Sequence, residues 1–466
     1  MKKLVYFIFA IALLGFWSSC TEDDLEPTLA QAKSVEGSIN TQEDLEGLLR
    51  GAFNRMTSST YYGRDMIIYG EVRSDNTYAN GSSGRFLTIA AMDQGSDHAH
   101  PTDTWGQIYR TIALANVIIG TQEQELEGDQ AAIDHTIGQA YAMRALCHFD
   151  LLRLYGQQHV TGGDQTLGVP YMKEFKGDEL NPPRNTVSEV ETFLYDDLAT
   201  ARSLMSATLD GSKQFINTDA VSALESRFAL YFGDWGRVKT AAEAVINSGN
   251  YSIIDPSEYA NSFLLDEAAN SIFELAFSST DNANINGIQY IYRGESYGDV
   301  RVLDDLLSIF EAGDIRASAD MIGYDPEAPD YLTNLGKYPS KDYSDNILII
   351  RYEEVLLNYA EALFRLGESG VTGTALETLN MIPAERGASA YTAINEDNIL
   401  LERRKELCFE GFRFDDLART GRDIPLVDAI LQSHGGPAYG SFNYAFPIPK
   451  AEMNSNPNMV QNHNFN

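Results

Sequence analysis

Residues 402–421, ERRKELCFEGFRFDDLARTG, restrict the possible folds of this chain more than any other stretch. Arg403, Arg404, Glu406, Glu410, Arg413, Asp415, Asp416 and Arg419 are interleaved there with Leu407, Cys408, Phe409, Phe412 and Leu417. So many charges among large apolar side chains cannot all reach water from one amphipathic helix. Some must lie inside the fold, and a buried charge is tolerated only when paired. Arg404, Glu406, Glu410, Arg413 and Asp416 are therefore read as a structural ion-pair network rather than as ligand contacts.

The rest of the chain is dominated by paired helices. Thr41 and Asp44 form a capping pair ahead of a stripe of Leu45, Leu48, Leu49, Ala52, Phe53 and Met56. A second helix is predicted from Trp105 through Ile108, Ile112, Ala115, Asn116 and Ile119. A third places Ala142, Ala145, Leu146, Phe149 and Leu152 on one face and stops at Gly156. Ser188 and Glu191 are the expected caps of a helix running through Leu194, Leu198, Ala201 and Leu204. Residues 218–249 read as one tetratricopeptide-like unit, two helices joined at Gly233-Asp234-Trp235, with small residues where the helices cross. A later pair stripes Tyr352, Val355, Leu356, Tyr359, Leu363 and Leu366, then turns into Ala375, Leu376 and Leu379. The fold class is accordingly mainly all-α, a scaffold of helix pairs with long irregular loops and a few short strands.

Two stretches, 57–104 and 251–346, lack helical periodicity and are read as the loop-rich face. Leu303 to Phe310 interrupts the second, and Ile272-Phe273-Glu274-Leu275 has the makings of a brief strand. Loops of this length in a compact domain are usually functional or disordered, and their tyrosine content argues against disorder.

At the N-terminus, Lys2 and Lys3 precede an uncharged run ending at Ser19, shorter than the roughly 20 apolar residues of a spanning helix. Residues 1–19 read as a secretory signal peptide. Cys20 stands where a lipidated cysteine would become the mature N-terminus, with Trp17 in the place usually held by Leu. Residues 20–40 then form an acidic linker, and 41–466 a single domain. A lipid at Cys20 would attach the chain to a membrane without a spanning helix. Cys147 and Cys408 fall among large apolar neighbours in helical patterns, where free thiols behave as small buried hydrophobes; an exported chain also allows a disulfide between them.

The formal net charge of −33 suits neither nucleic acid nor an anionic membrane surface. No Gly-x-Ser-x-Gly, P-loop or zincin motif is present. A glycosidase would need two carboxylates about 5 to 10 Å apart. The adjacent pairs Glu353-Glu354 and Asp415-Asp416 sit instead in helical patterns, where ion pairing or exposure is expected. His98-x-His100 offers two imidazoles without a spaced third ligand. No catalytic residue, cofactor or metal is assigned from these motifs.

The motifs together resemble those of the SusD/RagB family of Bacteroidota surface lipoproteins. In family order they are TQEDLEGLLRGAFNRM (41–56), WGQIYRTIALANVII (105–119), AYAMRALCHFDLLRLYG (140–156), TVSEVETFLYDDLATA (186–201) and GDWGRVKTAAEAVINSGNYSI (233–253). The Asp314-Ile315-Arg316 element, IRYEEVLLNYAEALFRL (350–366), the 402–421 stretch and FPIPKAEMNSNPNMVQN (446–462) complete the set. Glu225 departs from the small or apolar residue more usual in the repeat-like helix. The resemblance implies a non-enzymatic protein, lipid-anchored at Cys20 and exposed on the outer membrane. Its acidic run at 21–26 resembles the family's cell-surface address. Such a protein binds oligosaccharide and passes it to a SusC-type TonB-dependent transporter. Some members bind peptides instead, and a transporter-associated scaffold without its own ligand is a third reading.

No motif carries the family's ligand site over residue by residue, so candidates follow from chemistry and location. Aromatic faces stack on the C–H faces of sugar rings, and planar polar groups bridge hydroxyls. One candidate cluster is Tyr69, Arg73, Asp75, Asn76, Tyr78 and Asn80. The other is Asn284, Asn286, Tyr290, Tyr292, Arg293 and Tyr297. The structural alternative is that Arg73 and Asp75 fix a loop while the tyrosines pack on helices. Trp105 and Trp235, lying in helical motifs, are expected in the core.

Overall fold

A computed structural model describes residues 39–178, 180–293 and 297–465. The signal peptide, Cys20 and the acidic run lie outside the described residues. The fold is mainly helical. Helix α1 (Gln42–Met56) begins at Thr41, whose side chain accepts from Asp44 N while Asp44 Oδ2 accepts from Thr41 N, each at 3.1 Å. It packs on α4 (Ala99–Ile119), which is separated from it by a short helix α2 (Asp65–Val72), a strand β1 (Thr77–Ala79) and one turn of helix, α3 (Leu87–Ala90). Helix α4 starts earlier than the periodicity from Trp105 suggests, because His98 caps it and its first turn is polar. Helix α5 (Gln130–Tyr155) lies between α4 and α6 (Val187–Leu204). The cap of α6 is Thr186 with Glu189 rather than Ser188 with Glu191, so the helix opens two residues sooner.

Helices α7 (Thr218–Phe232) and α8 (Trp235–Ser248) form the repeat-like pair. Gly233 sits at φ +77°, a left-handed conformation that a Cβ would strain, and Asp234 then caps α8 by accepting from Arg237 N. Glu225, the unusual residue of α7, accepts from Arg202 on α6 at 2.5 Å and from Arg237 on α8 at 2.8 Å. It pins three helices together at the surface.

The second irregular stretch contains more order than its sequence shows. Strand β2 (Ser271–Leu275) pairs antiparallel, through a bulge, with β6 (Ile347–Arg351). Between them come α9 (Ile288–Tyr292), β3 (Val300–Val302), α10 (Asp304–Ser308), β4 (Ile322–Tyr324) and β5 (Leu332–Asn334). Strand β3 pairs with β1, setting Tyr78 opposite Arg301, and β4 pairs with β5. The two long irregular stretches are thus joined by a ladder. Helix α11 (Tyr352–Leu366) then packs on α8 and α12 (Ala375–Ala384), followed by α13 (Glu396–Leu407) and α14 (Arg413–Arg419).

Most charges of the 402–421 stretch are buried, as their number requires. Glu406 is fully enclosed and accepts from Arg316, Arg351 and Arg386 at 2.8 to 3.1 Å. Burial alone would raise its carboxyl, but Arg386, Arg351 and Arg316 hold it well below the usual carboxylate range. Glu410 takes Lys337 and Arg351, Asp416 takes Arg403 and Arg419, and Arg413 reaches Asp75. The adjacent carboxylates are taken up in the same way: Glu353 by Arg351 and Arg386, Glu354 by Arg227, and Asp415 by Arg153. Cys147 and Cys408 are buried, free thiols. Trp105 is buried against Tyr109 and Tyr155, while Trp235 is half-buried beneath Arg365. Among the described residues no helix is long and apolar enough to cross a membrane.

Candidate functional site

The first predicted cluster is largely interior. Tyr69 lies in α2, every residue of which is buried, and its hydroxyl meets Thr104 Oγ1 at 2.9 Å. The Arg73 guanidinium is sandwiched between Phe414 at 3.6 Å and Phe446 at 4.6 Å, and it donates to the Tyr444 carbonyl. Asp75 accepts two bonds from Arg413, at 2.7 and 2.9 Å, and lies 3.3 Å from Arg404. Asn76 bridges Glu71 and Arg404. Tyr78 is buried in the β1–β3 ladder. These five side chains are interior, and three of them meet the 402–421 stretch: Asp75 and Asn76 receive its arginines, and Arg73 packs on Phe414. Asn80 alone reaches the surface, donating to the Gly298 carbonyl at 2.8 Å.

The second cluster is brought together, with one exception. Tyr292 is 1% exposed, parallel to the Tyr338 ring and edge-on to Phe409, so it belongs to the core. Tyr290 and Tyr297 are half-buried, with ring centroids 5.0 Å apart and planes at 77°. Tyr343, which the sequence reading missed, adds a third ring 5.6 Å from Tyr290. Arg85, also missed, lies 4.0 Å over the Tyr297 ring and donates to Asn286 Oδ1 at 3.2 Å. Asn284 and Asn286 are exposed, and Arg293 donates to the Tyr338 carbonyl.

Rigid elements hold this face from below. Helix α9 carries Tyr290, and the β1–β3 ladder places Asn80 beside Gly298. Asp299 fixes the 81–85 loop by accepting from Ser83 N and Oγ, each at 2.8 Å. Asp345 accepts twice from Ser340 N at 2.9 Å, closing the loop that bears Tyr343. Burial pushes the Asp345 carboxyl up to about 6, against the pull of the Ser340 amide, Gln289 and Arg293. Phe86, Asn284, Tyr338 and Tyr343 all hold positive φ between +53° and +63°. Strained backbone of this kind persists only where the surroundings over-determine it, and it concentrates at binding sites. Met92, Lys176, Glu267, Phe409 and Asn464 also hold positive φ, so left-handed backbone does not by itself single out this face.

His98 and His100 do not form a clip. His98 Nδ1 accepts from His100 N, while His100 Nδ1 is 3.0 Å from Asp65. Two open cavities, of about 420 and 340 Å³, lie elsewhere. The first is lined by Arg50, His135 and Phe215 among others, and the second by Asn116, Lys173 and Phe175. Neither contains a residue of the tyrosine face.

Fold and face together define a class: a helix-repeat scaffold carrying a loop-borne aromatic and amide surface. Comparison with known proteins narrows it. A family model described as the SusD family matches residues 330–465, and one described as starch-binding, associating with the outer membrane, matches residues 24–230. SusD-like protein P2 of Formosa agariphila is 23% identical over 522 residues, covering 99% of this chain and 98% of that protein. A SusD superfamily protein of Bacteroides vulgatus is 27% identical with a TM-score of 0.83, covering 92% of this chain and 100% of that one. The starch-binding protein SusD of Bacteroides thetaiotaomicron is 31% identical over 131 residues, 28% of this chain and 22% of that protein. The chain belongs to the SusD/RagB family.

Proposed function

We propose that this protein binds an oligosaccharide on the face formed by Tyr290, Tyr297 and Tyr343 with Asn80, Arg85, Asn284, Asn286 and Arg293. The observation that carries this reading is the convergence of three partly exposed tyrosines with amides and a guanidinium, from loops far apart in sequence. Tyrosine faces offer stacking area for pyranose rings at low entropic cost, and amide side chains both donate to and accept from hydroxyls. The starch-binding description of the N-terminal family model supports the same ligand class.

Binding is non-covalent in this reading. The adjacent carboxylates best placed in sequence for acid–base work are held in ion pairs within the scaffold. The protein is anchored by lipid at Cys20 on the outer-membrane surface and hands its ligand to a SusC-type TonB-dependent transporter. Calorimetry of the full-length protein in detergent, against oligosaccharides and a mixed peptide pool, tests the ligand class. Saturable binding of one glycan class supports the proposal. Binding of peptides alone refutes it in favour of the peptide-binding branch, and silence from both leaves the transporter as the partner to test.

A further inference from the structure

The charges around the three tyrosines narrow the ligand further, on the glycan reading just given. A site built for uronate or sulfate groups aims guanidinium or ammonium groups outward, where they can form charge-assisted bonds. Here the cations already have partners within the protein, and Arg64 is buried. Arg64 Nε lies 2.6 Å from Asp65, and its Nη1 donates to the Asn286 carbonyl at 3.2 Å. Arg85 donates to Ser83 and Asn286, lies 4.0 Å from Asp299 and covers the Tyr297 ring. Arg293 donates to Tyr338 and lies close enough to Asp345 to influence its ionisation. Lys341 likewise has a partner within the protein.

Carboxylates match these cations, and two of them stand further out. Asp281 and Asp342 are both exposed, and Asn282, which donates to the Asp342 carbonyl, ties their loops together at the rim of the face. With Asp65, Asp299 and Asp345 they leave, among the described residues of the face, no surplus of positive charge for a polyanion to meet. The chain behind them carries a net charge of −33, which repels an approaching acidic ligand over a screening length of about 10 Å at 0.1 M salt. Among the described residues of the face, the uncharged groups are the tyrosine rings and the Asn80, Asn284 and Asn286 amides, and the Arg85 and Arg293 guanidiniums beside them are already engaged within the protein.

We infer that the ligand of this face is an uncharged oligosaccharide, with uronate- and sulfate-bearing chains selected against by cations already paired within the protein and by rim carboxylates. The test is calorimetry of the full-length protein in detergent at 50 and 500 mM NaCl. The ligands are neutral gluco-, galacto-, manno- and xylo-oligosaccharides, each beside a sulfated or uronate-containing counterpart of equal length. The expected result is saturable binding of a neutral series, with Kd changing less than about twofold across that salt range. Acidic counterparts should bind at least about tenfold more weakly at 50 mM, with the gap narrowing at 500 mM. Equal affinity for the two sets, or tighter acidic binding that weakens with salt, overturns this inference and leaves the glycan reading standing. No binding by either set overturns both.

Discussion

Replacing Tyr290, Tyr297 or Tyr343 by Ala removes one stacking face without opening the core. Each variant is expected to raise the Kd for the bound glycan about three- to tenfold, from the ~0.5–1.5 kcal/mol of a ring contact, with the melting temperature unchanged. Tyr292→Ala should do the reverse, costing about 3–5 kcal/mol of stability because it empties a buried site beside Tyr338 and Phe409. Calorimetry and thermal denaturation of the same four variants separate the two behaviours; a Tyr292 variant that melts normally would contradict its placement in the core. Glu406→Gln keeps the shape but leaves Arg316, Arg351 and Arg386 short of a counter-charge, and should cost about 3–5 kcal/mol. That Arg73, Asp75 and Asn76 lie in the interior, where they were also candidates for a binding loop, has a physical cause at this scale. Side chains that bridge sugar hydroxyls also bridge guanidinium groups, so composition does not separate the two uses. The arginines of the 402–421 stretch were the available clue: Arg404 and Arg413, drawn into the fold, need acids beside them, and Asp75 serves both.

Among the elements, amphipathic helices were legible because one face is wet and periodicity survives. Helix α2 was not, since all of Asp65–Val72 is buried and no period of 3.6 remains to be seen. The short strands of the second loop region were hidden for a related reason: three-residue ladders give too little alternation to distinguish them from turns. Capping chemistry fixed the right helix but not its first residue at α6. Thr186→Ala is therefore expected to cost about 1 kcal/mol and Ser188→Ala almost nothing, as read by urea denaturation; equal effects would mean the cap is misassigned. Helix α2 also approaches the signature turn unusually closely. A Cβ on Gly70 would stand 2.1 Å from the Gly411 carbonyl oxygen, backbone against backbone. Gly70→Ala should lower stability by about 1–3 kcal/mol or more, since neither partner can move without displacing Arg73 or Phe409.

For the whole molecule, acid acts through two opposed sets of groups. His148 is held neutral, its Nδ1 donating to the Arg144 carbonyl and its Nε2 accepting from Met172 N; burial depresses it to about 3, and burial likewise depresses His159 to about 4. Unfolded histidines take up protons below about 6.5 whereas these do not, so stability is lost as pH falls from 6.5 toward 4. Asp345 and Glu71, raised by burial to about 6, bind protons more tightly folded than unfolded and return part of that loss over the same window. Below about 4.5 the depressed carboxylates Glu406, Glu410 and Asp416 begin to lose their contribution as well. Melting temperature should therefore decline below pH 6.5, and Asp345→Asn should make the decline between 6.5 and 4.5 steeper. A variant curve parallel to that of the parent would remove Asp345 from this account.

The enclosure of Glu406 also sets an order of events. Its three arginines precede it by 90, 55 and 20 residues, and in a chain ending before residue 402 they would share Asp314 and Glu353 alone. An incomplete polypeptide therefore cannot close its second half, however well its early helices have formed. A chain that emerges N-terminus first stays open until that late segment arrives, and one cut short of it is left accessible to proteases.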